Sequence, residues 1–123
     1  MVNHPLSVPD APLATTVSAL TPGLQHTYAT QLPELCVAWQ PARVPRPALL
    51  AFNHELAREL GWSADALDSP AGAELFSGNA VPDGAQSVAQ GYAGQQFGGY
   101  SPQLGDGRAL LLGEVVDGNG LRR

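Results

Sequence analysis

The run Tyr92-Ala93-Gly94-Gln95-Gln96-Phe97-Gly98-Gly99-Tyr100-Ser101-Pro102-Gln103-Leu104-Gly105-Asp106-Gly107-Arg108-Ala109 decides how this chain is read. Nine of the 14 glycines fall within residues 91–120, and no tandem repeat accounts for them. Glycine lacks a Cβ, so closely spaced glycines let a ligand or another backbone segment approach the main chain. At Gly105-Asp106-Gly107-Arg108 two glycines flank an acid and precede an arginine, whose planar guanidinium can grip a phosphate through two hydrogen bonds. No helix signal follows Gly107, so neither a Walker loop nor a dinucleotide-binding fingerprint fits. For the tetrapeptide alone the plainer reading is a glycine turn, with Asp106 shaping it and Arg108 exposed or paired with Asp106.

Downstream of the run, Leu110, Leu111, Leu112, Val115 and Val116 around a single Gly113 predict a strand over 108–117. Asp117-Gly118-Asn119-Gly120 then predicts a hairpin turn, because these residues tolerate positive φ. Leu121, Arg122 and Arg123 begin a return strand. A lone hairpin arm is a poor end for a domain, so the expectation is the amino-terminal part of a longer protein.

Upstream, Ala85, Val88, Ala89 and Tyr92 recur at i, i+3, i+4 and i+7 and predict a short amphipathic helix ended by Gly94. Leu49, Phe52, Leu56 and Leu60 predict a longer helix that starts at Pro47, faces the core and ends on Gly61 as a left-handed cap. Ser63 and Ser69-Pro70 mark two further helix starts, and Gly78 closes that block. Eight of the 11 prolines lie within residues 1–47, and up to Ala42 the only charges are Asp10 and Glu34. That composition predicts extended chain wrapping along a larger body, anchored by Leu24, Tyr28, Leu32, Leu35, Val37 and Trp39. The expected organisation is a flexible Pro-rich leader over 1–23 and a body over 24–123, of α+β class.

Composition removes several function classes. All six basic residues among the 123 are arginines, so the chain has no lysine for a Schiff base or for the phosphate contact of common nucleotide sites. A net charge of -5, with Arg122-Arg123 the only adjacent basic pair, excludes a nucleic-acid surface built on clustered cations and a basic membrane-binding face. No apolar run nears the roughly 20 residues that span a bilayer, and the first ten residues lack a secretory pattern, so a cytoplasmic location is expected. Cys36 is the single cysteine, set in Leu35-Cys36-Val37-Ala38-Trp39, and reads as a buried, inert thiol. His4, His26 and His54 lack metal-ligand spacing, so no metal ligands are assigned.

The whole run, with Leu112-Gly113-Glu114-Val115 behind it, closely resembles the signature of the selenoprotein O family, which pairs a Y-A-G-H-Q-F-G block with S-P-Q-L-G-D-G-R-A and L-G-E. Phe52-Asn53, Leu56-Ala57, Glu59-Leu60-Gly61, Phe76-Ser77-Gly78-Asn79, Thr27-Tyr28-Ala29 and Leu32-Pro33 match family positions in the same order, so the resemblance covers roughly residues 24–123. Gln95 stands where the family usually has histidine. Glutamine replaces a hydrogen-bonding ring but not an acid or base.

The resemblance implies a protein-kinase-like fold that transfers AMP from ATP to Ser, Thr or Tyr hydroxyls of proteins, with magnesium assisting. It implies that Gly105, Gly107 and Arg108 contact the nucleotide, as part of a kinase-like small lobe begun in this chain. Tyr92, Phe97 and Tyr100 border the adenine or pack the loop, packing being the simpler role, and Glu114 is structural. The family's lysine, catalytic aspartate and metal ligands come later than Arg123, so no catalytic residue is assigned and the 123 residues alone are expected to be inactive. The alternative is a short non-catalytic module for nucleotide binding or interaction.

Overall fold

The computed structural model describes residues 11–123, excluding the side chains of residues 11–15 and 106–109. His4 and the first ten residues of the expected leader lie outside the described residues. The described chain is α+β: helices α1 (Ala11–Leu20), α2 (Thr27–Gln31), α3 (His54–Glu59), α4 (Ala64–Leu67) and α5 (Pro70–Phe76) accompany strands β1 (Cys36–Ala38), β2 (Val88–Gln96) and β3 (Gly99–Leu111). The strands form one antiparallel sheet in the order β1-β2-β3.

Hydroxyl and amide caps set the helix starts. The Asn53 side chain accepts a hydrogen bond from the Leu56 N–H at 3.0 Å, and Ser63 and Ser69 cap α4 and α5 from the Ala66 and Gly72 N–H groups. Gly61 and Gly78 follow their helices with φ of +77° and +80°, as the two stop signals predict. The buried cluster is small and mostly helical: Val17, Ala57, Ala64, Leu67, Leu75 and Ala80, flanked by Leu20, Phe52, Trp62 and Leu112. The Trp62 indole N–H donates to the Pro22 carbonyl at 3.2 Å, tying α1's exit to this cluster.

Several expectations need correction. Extended chain was expected up to Ala42, yet residues 11–20 form α1, with Val17 fully buried. Pro12 sits in the first turn, where its missing N–H costs no intrahelical bond, and no breaker follows until Pro22. The helix expected from Pro47 begins only at His54, because Arg46 takes φ +48° and Asn53 is extended to serve as the cap. Its stripe is consequently a core face only in part, with Phe52 packed against the buried cluster. Leu56 is exposed, and Leu49, Phe52, Leu56 and Leu60 line an open apolar groove of about 340 Å³ with Trp62 and Phe76.

The expected helix over Ala85–Tyr92 is instead the start of β2. Its helical spacing is coincidental: Gly91 and Gly94 weaken any helix there, and the backbone pairs with strands on both sides. The predicted strand over 108–117 is displaced as well, since β3 begins at Gly99 and ends at Leu111. Beyond it, Gly113 adopts φ +155° and only isolated bridges, Gln25 with Glu114 and Val116 with Arg122, continue the pairing. The turn at Asp117-Gly118-Asn119-Gly120 forms as predicted, with the Asp117 N–H donating to the Leu121 carbonyl at 2.8 Å.

Of the expected anchors, Leu24 and Tyr28 are half-buried, whereas Leu32, Leu35, Val37 and Trp39 are exposed. Cys36 is half-buried rather than buried. Among the described residues no helix is long and apolar enough to cross a membrane.

Candidate functional site

The glycine-rich run is not a loop before a strand. It is a long hairpin in which β2 turns at Phe97-Gly98 and returns as β3, with Gln96 facing Gly99. Both turn residues have positive φ, +51° and +78°, which is the two-residue primed turn whose twist matches paired strands. The tetrapeptide expected as a turn therefore lies inside β3, where Asp106 faces Gln90 and Gly105 faces Gly91.

Directly beyond that point the ladder breaks. Ala89 faces Leu110 and Gln90 faces Asp106, so Gly107, Arg108 and Ala109 have no facing residue on β2. A bulge bends a strand and frees backbone groups from pairing, and such irregularities recur beside functional sites. Here it coincides with the glycine-arginine segment singled out from sequence. At the adjacent rung, a Cβ built on Gly105 meets nothing within 4 Å, while one on Gly91 lies 3.3 Å from the Leu35 carbonyl oxygen. The hairpin thus leaves the Cβ side of Gly105 open on β3 beside the three-residue bulge. Gly91 had no sequence signal of its own; its role emerges only from the register.

The three aromatic residues do not pack the loop. Tyr92 and Tyr100 are exposed, and Phe97 at the turn is fully so. Gln95 faces Tyr100 across the ladder and is exposed.

Glu114, read as structural, has a more definite place. It is buried, and its two carboxylate oxygens accept from the N–H groups of Thr27 (2.9 Å) and Tyr28 (2.7 Å) at the start of α2. The backbones of Gln25 and Glu114 exchange two hydrogen bonds of 2.8 Å each. Arg122 donates to the Gln25 side chain at 2.7 Å and to the Thr27 hydroxyl at 2.9 Å. Asp117 accepts from the Asn119 and Leu121 N–H groups and from Arg123 Nε at 3.1 Å. The Leu121 N–H above all, with Arg123 assisting against burial, lowers the Asp117 pKa below its ordinary 3.8.

Among the described residues no three His, Cys, Asp or Glu side chains gather as a metal site. His54 is 3.0 Å from Asp68, and His26 lies near Gly113.

A model of the family described as "Protein adenylyltransferase SelO" matches residues 21–122. Curated relatives include the "Protein nucleotidyltransferase YdiU" of Mycobacterium sp. (strain KMS), 58% identical over 100 residues, which cover 81% of this chain and 21% of the relative. The protein of the same name from Cereibacter sphaeroides (strain ATCC 17025 / ATH 2.4.3) is 57% identical over 98 residues, 80% of this chain and 20% of the relative. That from Pseudarthrobacter chlorophenolicus is 51% identical over 109 residues, 89% and 22% respectively. The chain spans about a fifth of the length of these relatives.

Proposed function

The chain belongs to the protein adenylyltransferase SelO family, and from that membership and the hairpin's geometry we propose that it supplies the nucleotide-binding strand of an enzyme transferring AMP from ATP to protein Ser, Thr or Tyr hydroxyls. In this reading the sheet β1-β2-β3 is the start of a kinase-like small lobe, the location is cytoplasmic, and Gly105, Gly107 and Arg108 contact the nucleotide. The observation that carries it is the coincidence of the unpaired bulge 107–109 with the bare rung at Gly105. A triphosphate needs close access to backbone N–H groups and a fixed positive charge; the bulge offers the first and a guanidinium the second.

Nucleotidyl transfer spreads charge over phosphate oxygens, and magnesium bound with ATP would help neutralise it. The metal ligands that the family resemblance implies are not assigned to residues of this chain. Its own contribution is binding and orientation of the nucleotide. With no lysine and no assigned catalytic acid or base, the 123 residues alone are expected to transfer no AMP.

ATP titration of the isotopically labelled chain, followed by NMR, tests the assignment. Amide shifts centred on residues 105–108, weakened by Arg108→Ala, are the expected result. Equal affinities in the wild type and Arg108→Ala remove Arg108 from the site.

A further inference from the structure

A strand rich in glycine carries few side chains that specify its register, so β3 needs another device to keep its bulge where it is. Sliding β3 by two residues would leave side chains on the same faces and would shrink the bulge from three residues to one. Leu112, the residue after β3, packs against the core cluster and gives that slide apolar resistance. A polar restraint lies directly beyond it. There the Glu114 carboxylate spans the Thr27 and Tyr28 N–H groups, and the bare Cα of Gly113 sits where a Cβ would be 2.6 Å from the Gln25 carbonyl oxygen. A two-residue slip moves the chain by roughly 6–7 Å, beyond the reach of any hydrogen bond.

We propose that Glu114 is a positioning residue whose carboxylate, locked onto the Thr27 and Tyr28 N–H groups, sets the register of β3 and so keeps Gly107, Arg108 and Ala109 outside the ladder. The amino-terminal segment around Gln25–Tyr28 is then the fixed point against which the bulge is measured. The rung at Gly105 and the paired residues Leu110 and Leu111 are held on either side of the bulge, and Glu114 anchors the carboxyl side. This inference concerns register and stands on the hydrogen bonds alone; its consequence for ATP rests on the proposed function.

The test uses the 123-residue chain and cross-strand NMR contacts of Ala89 with Leu110 and of Gln90 with Asp106. Glu114→Gln leaves one acceptor oxygen and puts an amide NH2 against a donor. Thr27→Pro removes one donor at the first position of α2 and the hydroxyl that Arg122 contacts, and it pushes His26, at ψ 41°, toward the extended region. Asp117→Ala weakens the neighbouring turn without touching Glu114's bonds, and so controls for lost stability alone.

Both Glu114→Gln and Thr27→Pro are expected to lose or average the two contacts while the Gln96–Gly99 contact at the far end persists; Asp117→Ala is expected to keep all three. Wild-type contacts in Glu114→Gln, or equal loosening in Asp117→Ala, overturn the proposal. If Glu114→Gln fails to fold, Thr27→Pro decides by the same contacts. In the ATP arm, a bulge formed about one time in ten weakens apparent affinity about tenfold. An absence of ATP shifts in the wild type refutes the nucleotide reading, while the contacts still decide the register.

Discussion

Gly91 of β2 and Gly105 of β3 are direct partners in the antiparallel ladder, so the hairpin crosses this rung without a side chain. The two are not equivalent, because the Leu35 carbonyl covers Gly91 while the Cβ direction of Gly105 is open. Alanine at 105 therefore meets no obstacle and should leave stability unchanged or raise it by ~0.5–1 kcal/mol, the ordinary gain over glycine within a strand. On the proposed function it should nonetheless weaken ATP-induced amide shifts, since a methyl group would stand on the proposed approach of the nucleotide. Thermal melting and an ATP titration on the same sample separate the two effects; unchanged melting with unchanged shifts would falsify the role of the bare rung.

Phe97 takes φ +51° at the hairpin turn while fully exposed. A left-handed backbone disfavours a bulky residue, and no burial offsets that cost. Phe97→Asn converts Phe97-Gly98 into the preferred Asn-Gly pair and should stabilise the hairpin by about 1 kcal/mol. The check is a rise in the urea midpoint at unchanged slope, and a fall would mean that the ring supports the hairpin through contacts absent from this structure.

The same turn explains why part of the fold was hidden in the sequence. Ser63, Ser69, Gly61, Gly78 and the Asp117–Gly120 turn act locally, through side chains or backbone angles within a few residues, and each is legible where it stands. The β2–β3 hairpin is different. Phe97 masks its turn, and the spacing of Ala85, Val88, Ala89 and Tyr92 imitates a helix that strand pairing overrides. Residue type and family resemblance single out Gly105, Gly107 and Arg108, but the bulge that sets three residues aside exists only in the register between two strands. Glu114's partners lie 86 and 87 positions away, so no local pattern announces them.

Asp117 makes stability depend on acid. Its native pKa is lowered by the Leu121 N–H first and by Arg123 and Asn119 after it, so the folded state favours the carboxylate. Its contribution is complete above the unfolded value of 3.8 and is lost as pH falls from there through the lower native pKa. Chemical denaturation between about pH 2 and 5 should show the acid-side loss shrinking in Asp117→Asn, whose side chain does not titrate. An identical acid limb in both proteins would assign the loss to other carboxylates.

The helical corner between α4 and α5 is the most exacting part of the core. Gly72 is buried, and a Cβ added there would lie 1.8 Å from the Leu67 carbonyl oxygen, a backbone atom that cannot swing aside. Leu67 itself is 1% exposed and is one of the two largest fully buried side chains. Leu67→Ala leaves a cavity and should cost ~2–5 kcal/mol. Gly72→Ala forces α5 away from the end of α4 and should cost at least ~1–3 kcal/mol, the usual range for overpacking. Small domains are stable by only about 5–15 kcal/mol, so either change should lower the urea midpoint markedly. If Gly72→Ala melts like the wild type, α5 can shift without cost and the contact with Leu67 does not fix the corner.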